Sequence, residues 1–133
     1  MKAIAQEHPM GCGLACVAFV IEQPYSSILK LTNEYKASVK GYYCRELISF
    51  LKKFGLNYEH KKFTEKTKKY LNKEGTIVFI KRSKKYPGGH YLVRSKNGWM
   101  NPWINYPNIN PAKAGIAKKL PGQVQWILFK TFI

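Results

Sequence analysis

The sequence contains no aspartate: its seven acidic residues are all glutamates, against 23 lysines and arginines. Any active site or metal centre that requires an aspartate carboxylate is therefore excluded. The resulting net charge is +16, which is large for 133 residues. Such a charge indicates an anionic partner, an acidic substrate or an acidic binding protein, unless the lysines serve only solubility.

Long apolar runs and paired cysteines are also lacking. No apolar run reaches the roughly 20 residues that a transmembrane helix needs, and the N-terminal residues make a poor signal peptide. The three cysteines are an odd number, which argues against a disulfide scaffold and favours a reducing compartment. We therefore expect a protein that is cytoplasmic or is delivered into the cytoplasm of a target cell. No second Cys or His pair follows Cys12 and Cys16 at zinc-site spacing, so we expect neither a metal nor a cofactor.

Aromatic residues make up 14% of the chain, which predicts a packed core rather than disorder. The length suits one domain, spanning residues 1–133. The first predicted helix is buried, has Cys12 in its first turn and ends near Glu22. Further helices are predicted at residues 25–35, at 43–54, which is amphipathic, at 64–72 and, as a short helix, near 112–118. Residues 37–41 are predicted to form a loop. The predicted strands are 76–81, 90–94, 99–103 and 123–132, and 56–63 is predicted to be a strand or an extended connector. Helices followed by antiparallel strands predict an α+β fold.

Cys12 is a candidate nucleophile because of its predicted position. The free N–H groups at a helix N-terminus carry partial positive charge, which favours a thiolate. The Gln6 amide is positioned in sequence to donate a hydrogen bond to an oxyanion formed near that sulfur. The alternative is that Cys12 only packs, since cysteine is among the most buried residue types.

His90 is the best candidate base among the three histidines. It follows Gly88-Gly89, which permits a close backbone approach, and it begins a predicted strand. If residues 95–98 form a four-residue hairpin loop, Asn101 lies diagonal to His90 on the same face, within side-chain reach. Asn101 then orients the imidazole toward the thiol. A three-residue loop would place Asn101 on the other face.

Three sequence features together resemble one family. They are Gln6 followed by Cys12-Gly13-Leu14-Ala15-Cys16, the later Gly89-His90-Tyr91, and a Leu-rich helix that ends Lys52-Lys53-Phe54-Gly55-Leu56. This order resembles the papain-like cysteine peptidases, and more closely the bacterial double-glycine peptidases that process bacteriocin leaders. The resemblance implies a papain-like fold, with N-terminal helices packed on an antiparallel sheet.

The resemblance also implies a thiol hydrolase that cleaves a peptide or isopeptide bond in a peptide or protein substrate. Cys12 is then the nucleophile, His90 the base, Asn101 the residue that orients it, and Gln6 the oxyanion donor. Where double-glycine peptidases usually have Asp-Pro, this chain has Asn101-Pro102. An Asn in that role is similar to papain, in which a Trp two residues later shields the hydrogen bond, as Trp103 would here.

Two alternatives use the same fold differently. One is a toxin or effector domain that acts on RNA or another anionic partner, with Tyr70 and Tyr86 beside a basic surface. That surface would consist of Lys61, Lys62, Lys66, Lys68, Lys69, Lys81, Arg82, Lys84 and Lys85. The other alternative is a catalytically silent binding module, in which Cys12 does not react.

Overall fold

The helices occupy the first half of the chain in the computed structural model, which describes residues 2–131. They are α1 (Cys12–Ile21), α2 (Tyr25–Leu29), a π-helical turn (Lys36–Lys40) and α3 (Cys44–Lys53). The strands are β1 (Tyr58–Lys62), β2 (Ile77–Ile80), β3 (His90–Arg94), β4 (Trp99–Asn101), β5 (Gly115–Ala117) and β6 (Val124–Lys130), with a 3-10 turn (Lys68–Tyr70) between β1 and β2. No helix among residues 2–131 is long and apolar enough to cross a membrane.

The six strands form one sheet in the order β1-β6-β2-β3-β4-β5. Every neighbouring pair is antiparallel. Helix α1 packs against α2, α3 and β3, and α3 also packs on β1. The predicted α+β class, with helices packed on an antiparallel sheet, is confirmed.

Two hydrophobic clusters lie on the two faces of the sheet, as the alternation of side chains along a strand requires. On β3, Tyr91 and Val93 join the cluster that contains α1 and α3. Leu92 points to the second cluster, which is covered by residues 63–71 and 120–124. There, Tyr70 stacks on Phe129 with ring centroids 3.8 Å apart. The helices therefore cover only one face, and this is the face that Cys12 approaches.

The predicted helix 25–35 is wrong in its length, because α2 ends at Leu29. The Asn33 side-chain oxygen accepts a hydrogen bond from the Lys36 N–H at 2.9 Å and so starts a separate turn. The predicted loop 37–41 is correspondingly replaced by the π-helical turn Lys36–Lys40. Helix α3 agrees with its predicted pattern except at Phe54, which follows the end of the helix and is 41% exposed.

Two other predicted helices are also wrong. Within 64–72 only the 3-10 turn Lys68–Tyr70 is helical. The Thr67 hydroxyl accepts the Thr64 N–H at 2.9 Å and donates to the Thr64 carbonyl at 3.1 Å, so it competes with helical backbone bonds. Within 112–118 the chain instead forms β5, which pairs with the otherwise free edge of β4. The last predicted strand extends to Phe132, which lies outside the described residues.

Candidate active site

Cys12 is the first residue of α1 and is partly exposed. Gly11, the residue before it, packs closely against Tyr25 of α2. A Cβ at this position would overlap the Tyr25 hydroxyl. The Tyr25 hydroxyl lies 3.0 Å from His8 Nδ1, so His8 anchors this turn. On the other side, the Tyr91 N–H donates to Cys12 Sγ at 3.5 Å. The helix start is thereby joined to β3 one residue after His90.

His90 begins β3, and its Nε2 lies 2.7 Å from Asn101 Oδ1. Arg94 pairs with Trp99, so residues 95–98 are the four-residue loop that brings both side chains to the same face. Asn101 Oδ1 also accepts the Trp103 N–H at 2.9 Å, which fixes this oxygen as an acceptor. His90 Nε2 therefore carries the proton and donates it, and Nδ1 is left with a free lone pair.

Tyr86 holds this pair in place, and the sequence had suggested it only as a neighbour of the basic surface predicted for an anionic partner. Its ring stacks on the His90 imidazole with centroids 4.0 Å apart and planes 2° from parallel. Its hydroxyl accepts from Asn101 Nδ2 at 2.9 Å and donates to the Trp103 carbonyl at 2.8 Å. Only its position in the loop before the Gly88-Gly89 pair could have signalled this role.

Trp103 lies beside the His90–Asn101 hydrogen bond and is 5% exposed. Its indole N–H donates to the Asn108 carbonyl at 2.8 Å, and its ring meets the edge of Tyr106 at 4.7 Å. These contacts fix the indole where it can exclude water from Asn101. The shielding role itself stays a prediction.

Gly89 has a left-handed backbone conformation, with φ at 78°. A Cβ at this position would overlap the Phe79 ring, which packs edge-on against Tyr91 at 4.9 Å. Glycine is therefore required both by the backbone angle and by the close approach of β2. The supporting role of Gly89 in the site stays a prediction.

Gln6 is buried, with 1% of its surface exposed, and it stabilises the turn before Cys12 by hydrogen bonds. Its amide nitrogen donates to the His8 carbonyl at 2.9 Å and to the Pro9 carbonyl at 3.2 Å. Its backbone N–H donates to the Pro102 carbonyl at 3.2 Å, which ties this turn to the residue after Asn101. Both amide hydrogens are engaged, so donation to an oxyanion requires one of them to be released. The oxyanion role of Gln6 stays a prediction.

Burial sets the protonation states of the candidate nucleophile and base. It raises the pKa of Cys12 to about 11, although the Tyr91 N–H and the first N–H groups of α1 act in the lowering direction. It lowers the pKa of His90 to about 4, opposed by the hydrogen bond to Asn101 and reinforced by Lys85. The thiolate favoured by the helix N-terminus alone is therefore not the resting form. At neutral pH both groups are uncharged.

Cys12 and His90 share one cleft with a volume of about 1240 Å³. Its other lining residues include Met10, Lys36, Lys40, Gly41, Tyr43, Cys44, Arg45, His60, Phe79, Arg82, Tyr86, Gly89, Tyr91, Trp103, Tyr106 and Trp126. We call this the catalytic cleft. Of the predicted catalytic, oxyanion and supporting residues, Cys12, His90, Gly89 and Trp103 line it, whereas Gln6 and Asn101 do not.

The predicted anionic-partner surface is divided between two places. Near β1, a second cleft of about 580 Å³ is lined in part by Lys61, Lys62, Lys66, Lys69 and Tyr70. Lys68 is exposed in the 3-10 turn nearby, and Lys81, Arg82, Lys84 and Lys85 are exposed after β2. Of these, Arg82 also lines the catalytic cleft. RNA binding at either place stays a prediction.

Most of the chain matches a family of known proteins. A family model described as the Peptidase C39 family matches residues 1–118. No curated protein gives a significant match to the chain. The matched residues include α1, α3, β3 and β4, which carry Cys12, Cys44, His90 and Asn101.

Proposed function

Because this chain belongs to the Peptidase C39 family, a family of cysteine peptidases, we propose that it cleaves a peptide or isopeptide bond through Cys12, His90 and Asn101. The observation that carries the assignment of residues is the 2.7 Å contact of His90 Nε2 with Asn101 Oδ1 beside the cleft that Cys12 lines. Asn101 Oδ1 accepts a hydrogen bond from His90 Nε2–H, which leaves Nδ1 as the basic nitrogen available for proton transfer.

Attack begins from a neutral thiol and a neutral imidazole. As Cys12 Sγ bonds to the substrate carbonyl carbon, His90 Nδ1 takes the thiol proton, and the carbonyl oxygen becomes an oxyanion. The Cys12 backbone N–H, which as a first-turn group has no intrahelical acceptor, donates to that oxyanion, and Gln6 adds its amide if one hydrogen is released.

Collapse of the intermediate breaks the C–N bond. His90 Nδ1 returns its proton to the leaving amine, and the acyl group stays on Sγ as a thioester. A water molecule then attacks the thioester while His90 takes its proton. The carboxylic acid product leaves, and the proton on His90 returns to Sγ as the thiol re-forms.

The test uses quenched-fluorescent peptides with a Gly-Gly pair before the bond to be cut, the substrate type that the family resemblance implies. Cys12→Ser and His90→Gln should lower kcat/KM by about 10³-fold or more, and Asn101→Ala by about 10²-fold. Cys44→Ser is the matched control, because Cys44 also lines the catalytic cleft and is a free thiol. It should retain the wild-type rate.

Mass spectrometry of rapidly quenched reactions should show the acyl group on the peptide that contains Cys12. Retained turnover in Cys12→Ser, or loss in Cys44→Ser alone, would overturn the assignment. If the wild-type protein cuts no peptide and forms no acyl-enzyme, the proposal fails, and the RNA-directed alternative is tested next with tRNA as the probe.

A further inference from the structure

The catalytic cleft is lined by cations but by no carboxylate among residues 2–131. The cations are Lys36, Lys40, Arg45 and Arg82. We propose that this cleft selects acidic peptide segments, with glutamate or aspartate side chains flanking the bond that is cut. The inference rests on the proposed function, since it concerns the substrate of the same site.

The first group of cations, Lys36, Lys40 and Arg45, lines the same cleft as Cys12. The π-helical turn that carries Lys40 is bound to the turn before Cys12, because the Met10 N–H donates to the Ala37 carbonyl at 2.8 Å. Arg45 follows in the first turn of α3, with its guanidinium 4.9 Å from the centroid of the Tyr43 ring. Tyr43 is 67% exposed and also lines the cleft, so Arg45 is supported by this ring while its donors remain open to solvent.

The second group lies on the loop that leads to the base. Arg82 is the second residue of this loop after β2, and the same loop supplies Tyr86 and Gly89 before His90. Lys85 adds another cation, 5.8 Å from the centroid of the Tyr86 ring, although it does not itself line the cleft. Positive charge is therefore present both on the π-helical turn with α3 and on the loop that precedes His90.

These cations are largely unneutralised. The one ion pair between residues 2 and 131 joins Lys36 to Glu46 at 2.7 Å. Within that range Lys40, Arg45 and Arg82 have no carboxylate within ion-pair distance. Charges of one sign that line a cleft focus the electrostatic field and raise the local concentration of oppositely charged ligands, by about 10-fold or more at low ionic strength. A basic peptide is repelled by the same field.

Three peptides test the inference. They share one Gly-Gly core and one length, and carry Glu, Gln or Lys at the same three flanking positions. For the wild-type protein at low salt, kcat/KM should be at least about 10-fold higher for the Glu peptide than for the Gln peptide, and lowest for the Lys peptide. About 0.5 M NaCl should reduce this preference several-fold, since the screening length then falls to about 4 Å.

Matched variants separate a cleft effect from the overall charge of the protein. Arg45→Gln and Arg82→Gln each remove one charge from the cleft lining, and Lys118→Gln removes one exposed charge outside it. The two arginine variants should each lower the Glu-over-Gln preference by about threefold or more, whereas Lys118→Gln should leave it within error. Equal effects of all three variants would overturn the inference, because the preference would then follow net charge alone.

The failures of the two proposals can be told apart. If the wild-type protein cleaves the Glu and Gln peptides at the same kcat/KM, the acidic preference is wrong and the peptidase proposal stands. If no peptide is cleaved, the peptidase proposal fails, and fluorescence anisotropy with Cys12→Ser protein decides the inference. Tighter binding of the Glu peptide, lost in Arg45→Gln but not in Lys118→Gln, supports it. Equal binding of the three peptides, or displacement of the Glu peptide by an RNA oligonucleotide at a charge-matched concentration, overturns it.

Discussion

At the scale of single residues, Tyr86 joins every other part of the base assembly. It stacks on His90, accepts from Asn101 and donates to the carbonyl of Trp103. Asn101 can present its oxygen to His90 only while its NH₂ group has an acceptor on the other side, because a flipped amide would direct a donor at Nε2–H. Tyr86 supplies that acceptor, so it acts as a positioning residue.

Tyr86→Phe should therefore lower activity while the fold persists. The ring stack remains, but the buried Asn101 Nδ2 loses its acceptor, which costs about 1–3 kcal/mol. We expect kcat to fall about 10-fold or more with the Gly-Gly peptides, and Tyr86→Leu, which also loses the stack, to fall further. Tyr35→Phe is the control, since Tyr35 is 64% exposed and lies outside the catalytic cleft. Wild-type kcat in Tyr86→Phe would show that the hydroxyl does not position Asn101.

The depressed pKa of His90 predicts where activity is lost on acidification. His90 must be neutral to take the thiol proton, and burial holds its pKa at about 4, below the ordinary value of 6.5. Lowering the pH from 7 to 5 therefore leaves the base unprotonated, and kcat/KM should fall about tenfold per pH unit only below about pH 4.

Lys85→Gln provides the check on that pH profile. Lys85 lowers the pKa of His90, so its removal should move the acid limb of kcat/KM to higher pH. Lys84→Gln, the same change one residue earlier, should leave the limb in place. An acid limb at or above pH 6.5 in the wild-type protein, or a shift to lower pH in Lys85→Gln, would contradict the assignment of His90 as the base.

At the scale of elements, α1 is the central helix of the first hydrophobic cluster. Leu14, Ala15, Cys16, Val17 and Ala18 are all completely buried. The helix packs against α2, α3 and β3 together. An apolar run without a polar face is typical of a helix surrounded on all sides. The position of Cys12 therefore depends on the packing of α1.

Leu14→Ala should destabilise the fold by about 2–5 kcal/mol, because the cavity left in α1 cannot be filled by neighbours already in contact. Urea unfolding followed by circular dichroism measures this change. Leu120→Ala is the comparison, since Leu120 is partly buried at the margin of the second cluster, and it should cost less than half as much. Equal losses of unfolding free energy in the two variants would show that α1 is no more tightly packed than the margin of the second cluster.

The sequence alone predicted those elements for which one strong local pattern determines the structure. The apolar run after Cys12 predicted α1, and the Asn97-Gly98 pair predicted the hairpin of β3 and β4. The sequence left the length of the hairpin loop open, and it is the observed four-residue loop that places Asn101 against His90.

The sequence was insufficient where side chains or distant strands compete with local preference. The Thr67 hydroxyl replaces helical bonds within 64–72, and the edge of β4 recruits Gly115–Ala117 as a strand. Tyr86 was not identified as a positioning residue because its partners lie 4 to 17 residues away in sequence and meet only in the folded chain. Nor could the pKa of Cys12 be predicted, because burial outweighs the helix terminus.

At the scale of the whole molecule, the net charge of +16 produces repulsion between like charges. Over residues 2–131 a single ion pair, Lys36–Glu46, offsets it. The basic residues near β1 and those after β2 lie on a small domain, so many like charges are within about 20 Å of one another, the screening length at about 20 mM salt. Unfolding moves them apart, and repulsion therefore favours the unfolded chain.

Salt should consequently stabilise this protein. Raising NaCl from about 20 mM to about 300 mM shortens the screening length from about 20 Å to about 6 Å, which weakens repulsion more in the compact state than in the expanded one. We expect Tm to rise by roughly 3 °C or more, measured by circular dichroism. Lys118→Glu should raise Tm at low salt, because it lowers the net charge by two. Lys118→Gln lowers the net charge by one and should raise Tm by about half as much. Both increases in Tm should vanish at high salt. A Tm that falls between the two salt concentrations, or a gain from Lys118→Glu that persists at high salt, would mean that local contacts rather than summed repulsion control stability.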